Sequence, residues 1–87
     1  MNEDEKYKIL GYVIASEYRL NILKSINTSM KTPSQIAKEI NLRTNHISNV
    51  LKDLKEKNLV VCINEEAHKG RLYKNTKLGL EILELIH

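Results

Sequence analysis

Apolar positions early in the chain recur at helical spacing. Tyr7, Ile9, Leu10, Val13 and Ile14 share one side of a first helix expected over about residues 4–15. Ser16 can accept from the first amides of a second helix, which runs through Leu20, Ile22, Leu23 and Ile26 and stops at polar Asn27-Thr28-Ser29. Thr32-Pro33-Ser34-Gln35 is the sharpest local signal. Thr32 stands at the N-cap, Pro33 at the first helical position loses no needed N–H, and Gln35 lies three residues after the cap, as a capping box requires. Ile36, Ala37 and Ile40 line a short third helix. Asn41 then tolerates a left-handed turn, with Leu42 as its apolar plug.

A fourth helix is expected over about residues 44–57. At about 100° per residue, Val50, Leu51 and Leu54 fall within about 60° of Ile47, which defines a buried face. Asn45, Asn49 and Lys52 lie about 140–200° away, with Ser48 and His46 flanking them. Leu59 to Ile63 is rich in β-branched residues and predicts a strand; polar Asn64 to Gly70 predicts a hairpin loop; Arg71-Leu72-Tyr73-Lys74 predicts the return. Thr76 caps a last helix carrying Leu78, Ile82, Leu83, Leu85 and Ile86. The expected class is mainly α (α+β), in the order α-α-α-α-β-β-α.

Composition narrows the possibilities. The 87 residues suit one domain spanning 1–87, and 41% apolar with 29% charged is ordinary for a globular protein. Without Trp or Phe, the core must be aliphatic. The longest apolar run, Leu59 to Ile63, is too short to cross a bilayer, and the acidic stretch Asn2 to Glu5 does not suit a signal peptide. Cys62 has no second cysteine to pair with, so a cytoplasmic setting is expected. The net charge of +3 is unevenly placed: residues 19–76 hold eleven basic and five acidic side chains, a balance of +6, and both ends are acidic. A basic middle suits a nucleic-acid surface, although surface lysines also serve as plain solvated charge.

The capped third helix, the turn at Asn41-Leu42, the fourth helix with a polar outer stripe and the following hairpin together resemble winged helix-turn-helix transcriptional regulators of the ArsR/MarR type, especially the small archaeal members. The residues that carry the resemblance are Ser16-Glu17-Tyr18-Arg19 with Ile22-Leu23, Thr32 to Ala37, Ile47 to Leu54, Leu59-Val60, and Gly70 to Tyr73 with Thr76 and Gly79. Asn41 and Asn58 stand where such proteins usually have Gly, and Asn75 where they commonly have Leu. The resemblance implies a helix-turn-helix over about 32–57, a two-stranded wing over about 59–75, and flanking helices about 4–15 and 76–86 used for dimerisation.

A helix fits the major groove of duplex DNA, and a side-chain amide can pair bidentately with adenine. Thr44, Asn45, His46 and Asn49 are therefore the candidates for base contact. Thr32, Ser34, Lys38, Arg43, Ser48, Lys52, Lys69 and Arg71 are the candidates for backbone contact, with Arg71 suited to a narrow minor groove. The same residues would also suit a solvated face, but Asn is a mediocre helix former, so two of them on one stripe call for a reason. Glu65 and Glu66 would repel phosphate, which leaves the far side of the wing for DNA.

His46, His68 and His87 are scattered, no metal-ligand spacing or nucleophile–base pair is present, and Cys62 suits a small buried hydrophobe. No enzyme activity, metal or cofactor is expected. Ile9, Tyr12, Val13, Leu80, Leu83 and Ile86 are the candidates for a homodimer surface, since the last helix is apolar over more than one face. A two-fold dimer would set two reading helices about 34 Å apart, matching a palindrome. The expected partner is double-stranded DNA; a winged-helix protein-interaction module is the alternative, and the residues identify no effector ligand.

Overall fold

Short polar residues set most of the helix ends. A computed structural model describes residues 2–86, with helices α1 (Glu3–Ile14), α2 (Glu17–Ile26), α3 (Pro33–Ile40), α4 (Thr44–Glu56) and α5 (Lys77–Ile86), and strands β1 (Val60–Cys62) and β2 (Tyr73–Asn75) between α4 and α5. Asn2 and Ser16 accept from Glu5 N and Arg19 N at the starts of α1 and α2. Thr32 and Gln35 form the complete reciprocal box at α3, and Thr76 Oγ1 accepts from Gly79 N at 3.1 Å in α5. The expected order of elements is therefore present.

Two asparagines close the helices that follow. Asn41 (φ 59°) and Asn58 (φ 60°) adopt the left-handed conformation. Each lets the next residue donate back across the helix end, Leu42 N to Ala37 O and Leu59 N to Leu54 O, both at 2.9 Å. This arrangement satisfies carbonyls the helix leaves open and turns Leu42 and Leu59 inward. Asn therefore does the work of Gly at both positions.

The core is aliphatic, as the composition demands. Ile22, Leu23 and Ile26 of α2 meet Ile36 of α3, Ile47, Leu51 and Leu54 of α4, then Leu59, Val60 and Ile82, all at 0–1% exposure. Each such side chain contributes about 1.5–3 kcal/mol on burial. Because α2 packs against α1, α3, α4, β2 and α5, it anchors the α3–α4 pair to the rest of the fold.

The strands pair antiparallel in the register Val60–Asn75, Val61–Lys74 and Cys62–Tyr73. Lys31 adds a bridge on the other side of β2: Lys31 N donates to Tyr73 O at 3.0 Å and Tyr73 N to Lys31 O at 2.9 Å. The start of α3 is thus stitched to the hairpin base, a link with no local signature. Arg71 and Leu72 fall outside β2 because the Asn64 side chain, rather than a strand carbonyl, receives Leu72 N.

Asn75 replaces the expected apolar residue with a buried clamp. At 4% exposure, its Nδ2 donates to Leu23 O at 3.1 Å and Asn27 O at 2.9 Å. Asn27 has φ 48° and ψ −119° at the second position of a tight turn closed by Ser29 N donating to Ile26 O. That backbone region favours Gly, and the bond to its carbonyl helps to hold it. Gly79 is needed for contact rather than conformation, since a Cβ there would lie 2.4 Å from Leu59 O.

The expected dimer surface needs correction in two places. Val13 is 0% exposed and Leu83 6%, because α1 and α5 pack against each other and over α2. Both residues fill the protomer's own core, so neither is available to a partner. Ile9, Tyr12 and Ile86 are half-buried against that core. The large apolar side chains left open on these helices are Tyr7 and Ile14 of α1, at 56% and 57% exposure, and Leu85 of α5 at 42%.

Candidate nucleic-acid interface

The α3–α4 pair and the hairpin enclose a groove. Its walls are the capped start of α3 (Thr32, Pro33, Ser34), one stripe of α4 (Thr44, Ser48, Lys52, Lys55) and the hairpin (His68, Lys69, Gly70, Arg71, Tyr73). The groove follows from local structure. The left-handed turn at Asn41 sets α3 against α4, and the Lys31–Tyr73 bridge brings the hairpin to the start of α3.

Thr32, Ser34, Ser48, Lys52, Lys69 and Arg71 from the backbone-contact set, and Thr44 from the base-contact set, all line this groove. Asn45 and Asn49 are exposed beside it on the outermost stripe of α4. Asn45 Oδ1 accepts from His46 N at 3.0 Å, so bidentate pairing with a base would require that local bond to be exchanged. Lys38 and Arg43 are exposed but lie outside the groove lining. Arg43 occupies the N-cap of α4 and gives it no side-chain cap.

His46 is set apart from the other three base-contact candidates. Its ring meets Tyr18 edge-on, with centroids 4.6 Å apart at 76°, and its Nε2 is buried without a hydrogen-bond partner among the described residues. The ring therefore braces α4 on α2 instead of facing outward. Lys31 is likewise engaged: its ammonium pairs with Glu39 and donates to Ser25 O, while Ser25 Oγ donates to Glu39 Oε2 at 2.9 Å. Hydrogen bonds from Lys31 and then Ser25 hold the Glu39 carboxyl below the usual range.

The hairpin loop is braced from within. Asn64 Oδ1 accepts from Leu72 N at 2.7 Å and its Nδ2 donates to Gly70 O at 3.2 Å. Arg71 Nε donates to Ala67 O at 2.8 Å, which fixes its direction and leaves the guanidinium end available. Glu65 reaches back to pair with Lys55. The hydrogen bond between them lowers the Glu65 carboxyl and raises the Lys55 ammonium, with their mutual attraction acting in the same sense.

A helix with exposed amides beside a cationic groove and a braced hairpin is a recognisable arrangement. Residues 16–87 match the winged helix-turn-helix family. The chain belongs to the winged helix-turn-helix family. The fold is similar to that of reduced HlyU from Vibrio cholerae N16961, with a TM-score of 0.79 and 21% identity over 97% of this chain and 87% of that one. Another HlyU structure from Vibrio cholerae N16961 gives 0.79 and 21%, covering 100% of this chain and 95% of that one. NolR from Sinorhizobium fredii gives 0.76 and 22%, covering 97% and 83% respectively. At these identities the likeness is one of fold. Comparison with curated protein sequences gives no match.

Within this winged-helix chain, Lys55, His68 and Tyr73 are groove residues that the sequence reading missed. Helical spacing held a clue for Lys55, which lies seven residues past Ser48 and so on the same face. His68 and Tyr73 depend on how the hairpin folds over α4, which spacing does not encode.

Proposed function

We propose that the chain, acting as one domain over residues 1–87, is a sequence-specific regulator of transcription that binds double-stranded DNA. The observation that carries this reading is the convergence of Thr44, Ser48 and Lys52 of α4 with Lys69 and Arg71 of the hairpin around one groove, beside exposed Asn45 and Asn49. In this reading α4 enters the major groove. Asn45, Asn49 and Thr44 meet base edges, and the hairpin follows the flanking backbone or minor groove. Thr32, Ser34, Lys38, Arg43, Ser48, Lys52, Lys69 and Arg71 hold phosphates and fix the register. His46 contributes by setting the tilt of α4 through Tyr18.

The chain acts as a homodimer on a palindromic site in this proposal. The exposed face of Tyr7 and Ile14, two turns apart on α1, with Leu85 of α5, is the part of the α1–α5 pair left for a partner. Ile9, Tyr12, Leu80 and Ile86, all half-buried, complete the proposed surface, and the kinship with ArsR/MarR-type regulators implied by the sequence belongs to the same reading. Selection of bound sequences from a random duplex pool tests it. Enrichment of two half-sites related by a dyad, about one helical turn apart, is expected. Recovery of no preferred sequence, together with a stable complex with another protein, would favour a protein-interaction module instead.

A further inference from the structure

Lys55 faces the same groove as Ser48 and Lys52, yet a carboxylate from ten residues further along already occupies its ammonium. That carboxylate, Glu65, belongs to the loop braced by Asn64 and Arg71, so its approach to Lys55 is set by the fold of the hairpin. The other charged side chains lining the groove, Lys52, Lys69 and Arg71, are cations, and Thr32, Ser34, Thr44 and Ser48 add hydroxyl donors. Glu65 meets this set through Lys55 alone, and there its carboxylate holds the ammonium that a phosphate would otherwise take. Both partners remain accessible, with Lys55 at 44% and Glu65 at 54% side-chain exposure. Exposed pairs of this kind contribute little to stability, so exchange of partner is cheap.

We infer that Lys55 is a further phosphate-binding residue and that Glu65 is its resident counter-ion, displaced when the backbone of a duplex enters the groove. The inference rests on the DNA-binding reading and adds a threshold to it. An incoming phosphate must replace Glu65 at Lys55 before it can be held there. Glu65 therefore weakens binding to every sequence while leaving base reading by Asn49 untouched.

The test is duplex affinity from 50 to 200 mM salt for the wild-type chain, Glu65→Gln, Lys55→Gln and the double variant, each checked for folding by thermal melting. Glu65→Gln should bind up to about fivefold more tightly at low salt, which corresponds to the upper end of an exposed pair. Its salt slope should steepen by up to about 0.9, the contribution of one phosphate contact, because Glu65 no longer offsets the charge that Lys55 brings to the duplex. Lys55→Gln should bind more weakly, and in the Glu65→Gln background it should abolish the gain. A gain that survives loss of Lys55 would show simple removal of repulsion and overturn the exchange. Unchanged affinity and slope in Glu65→Gln would overturn it as well. Absence of salt-sensitive binding by the wild-type chain would instead defeat the DNA-binding reading and this inference with it.

Discussion

Replacing Asn75 by Asp preserves the shape of a buried side chain while removing both of its hydrogen-bond donors. In the structure those donors reach Leu23 O and Asn27 O. Leu23 O keeps a helical bond from Asn27 N at 2.9 Å, so the carbonyl most exposed to the loss is that of Asn27. Two lost hydrogen bonds cost about 0.5–1.5 kcal/mol each, and a buried carbonyl left facing an oxygen costs about 1–3 kcal/mol more. The expected destabilisation at neutral pH is about 2–6 kcal/mol, and at about 4–8 °C per kcal/mol the melting temperature should fall by at least about 8 °C. Burial among carbonyls raises the pKa of the introduced carboxyl in the fold above its unfolded value of about 3.9. The deficit should therefore be smallest below that value and grow as pH rises through the folded pKa. Urea unfolding of both proteins from pH 4 to 8 measures it. A deficit below about 1 kcal/mol, or one independent of pH, would refute the clamp assigned to Asn75.

Gly79→Ala inverts the usual helix rule. Ala normally gains about 1 kcal/mol over Gly in a helix, but here its Cβ meets the Leu59 backbone oxygen, and overpacking of about 1–3 kcal/mol should win, lowering the melting temperature. Glu39 is held low by Lys31 and Ser25, so its contribution is present above its ordinary value of 4.5 and is lost as pH falls through the lower folded value. Glu39→Gln should accordingly flatten the acid limb of a stability–pH curve, and an unchanged limb would argue against the pair. Asn49→Ala should reduce preference for the selected site by about 1–3 kcal/mol while leaving the salt slope nearly constant. Arg71→Ala should do the reverse, with the slope shallower by about 0.9 on every sequence; both are read from titrations on cognate and scrambled duplexes.

The parts of the fold legible in the sequence are those written locally. Thr32 to Gln35 spells out a cap, Asn41-Leu42 and Asn58-Leu59 spell out two helix ends, and Ile47 to Leu54 divides α4 into an inner and an outer face. These suffice for the order of elements and for the polar stripe beside the groove. Features that depend on packing between distant segments were not legible. An apolar stripe indicates that Val13 and Leu83 are buried, without indicating whether the protomer's own helices or a partner's cover them. The polar outline of His46 suggests an outward role, and only the packing of α4 on α2 reveals Tyr18 as its neighbour. Asn75 resembles a departure from an apolar position until the strained carbonyl it holds at Asn27 comes into view.

The proposed function depends on the cationic groove receiving a polyanion, and the salt dependence of duplex affinity tests that most directly. Titration of a duplex of about 20–30 base pairs between 50 and 200 mM monovalent salt should give log affinity falling linearly with log salt. If Lys52, Lys69 and Arg71 each neutralise a phosphate, the slope should be at least as steep as about −2.7 per protomer. A flat dependence, or no measurable binding at the lowest salt, would contradict the account.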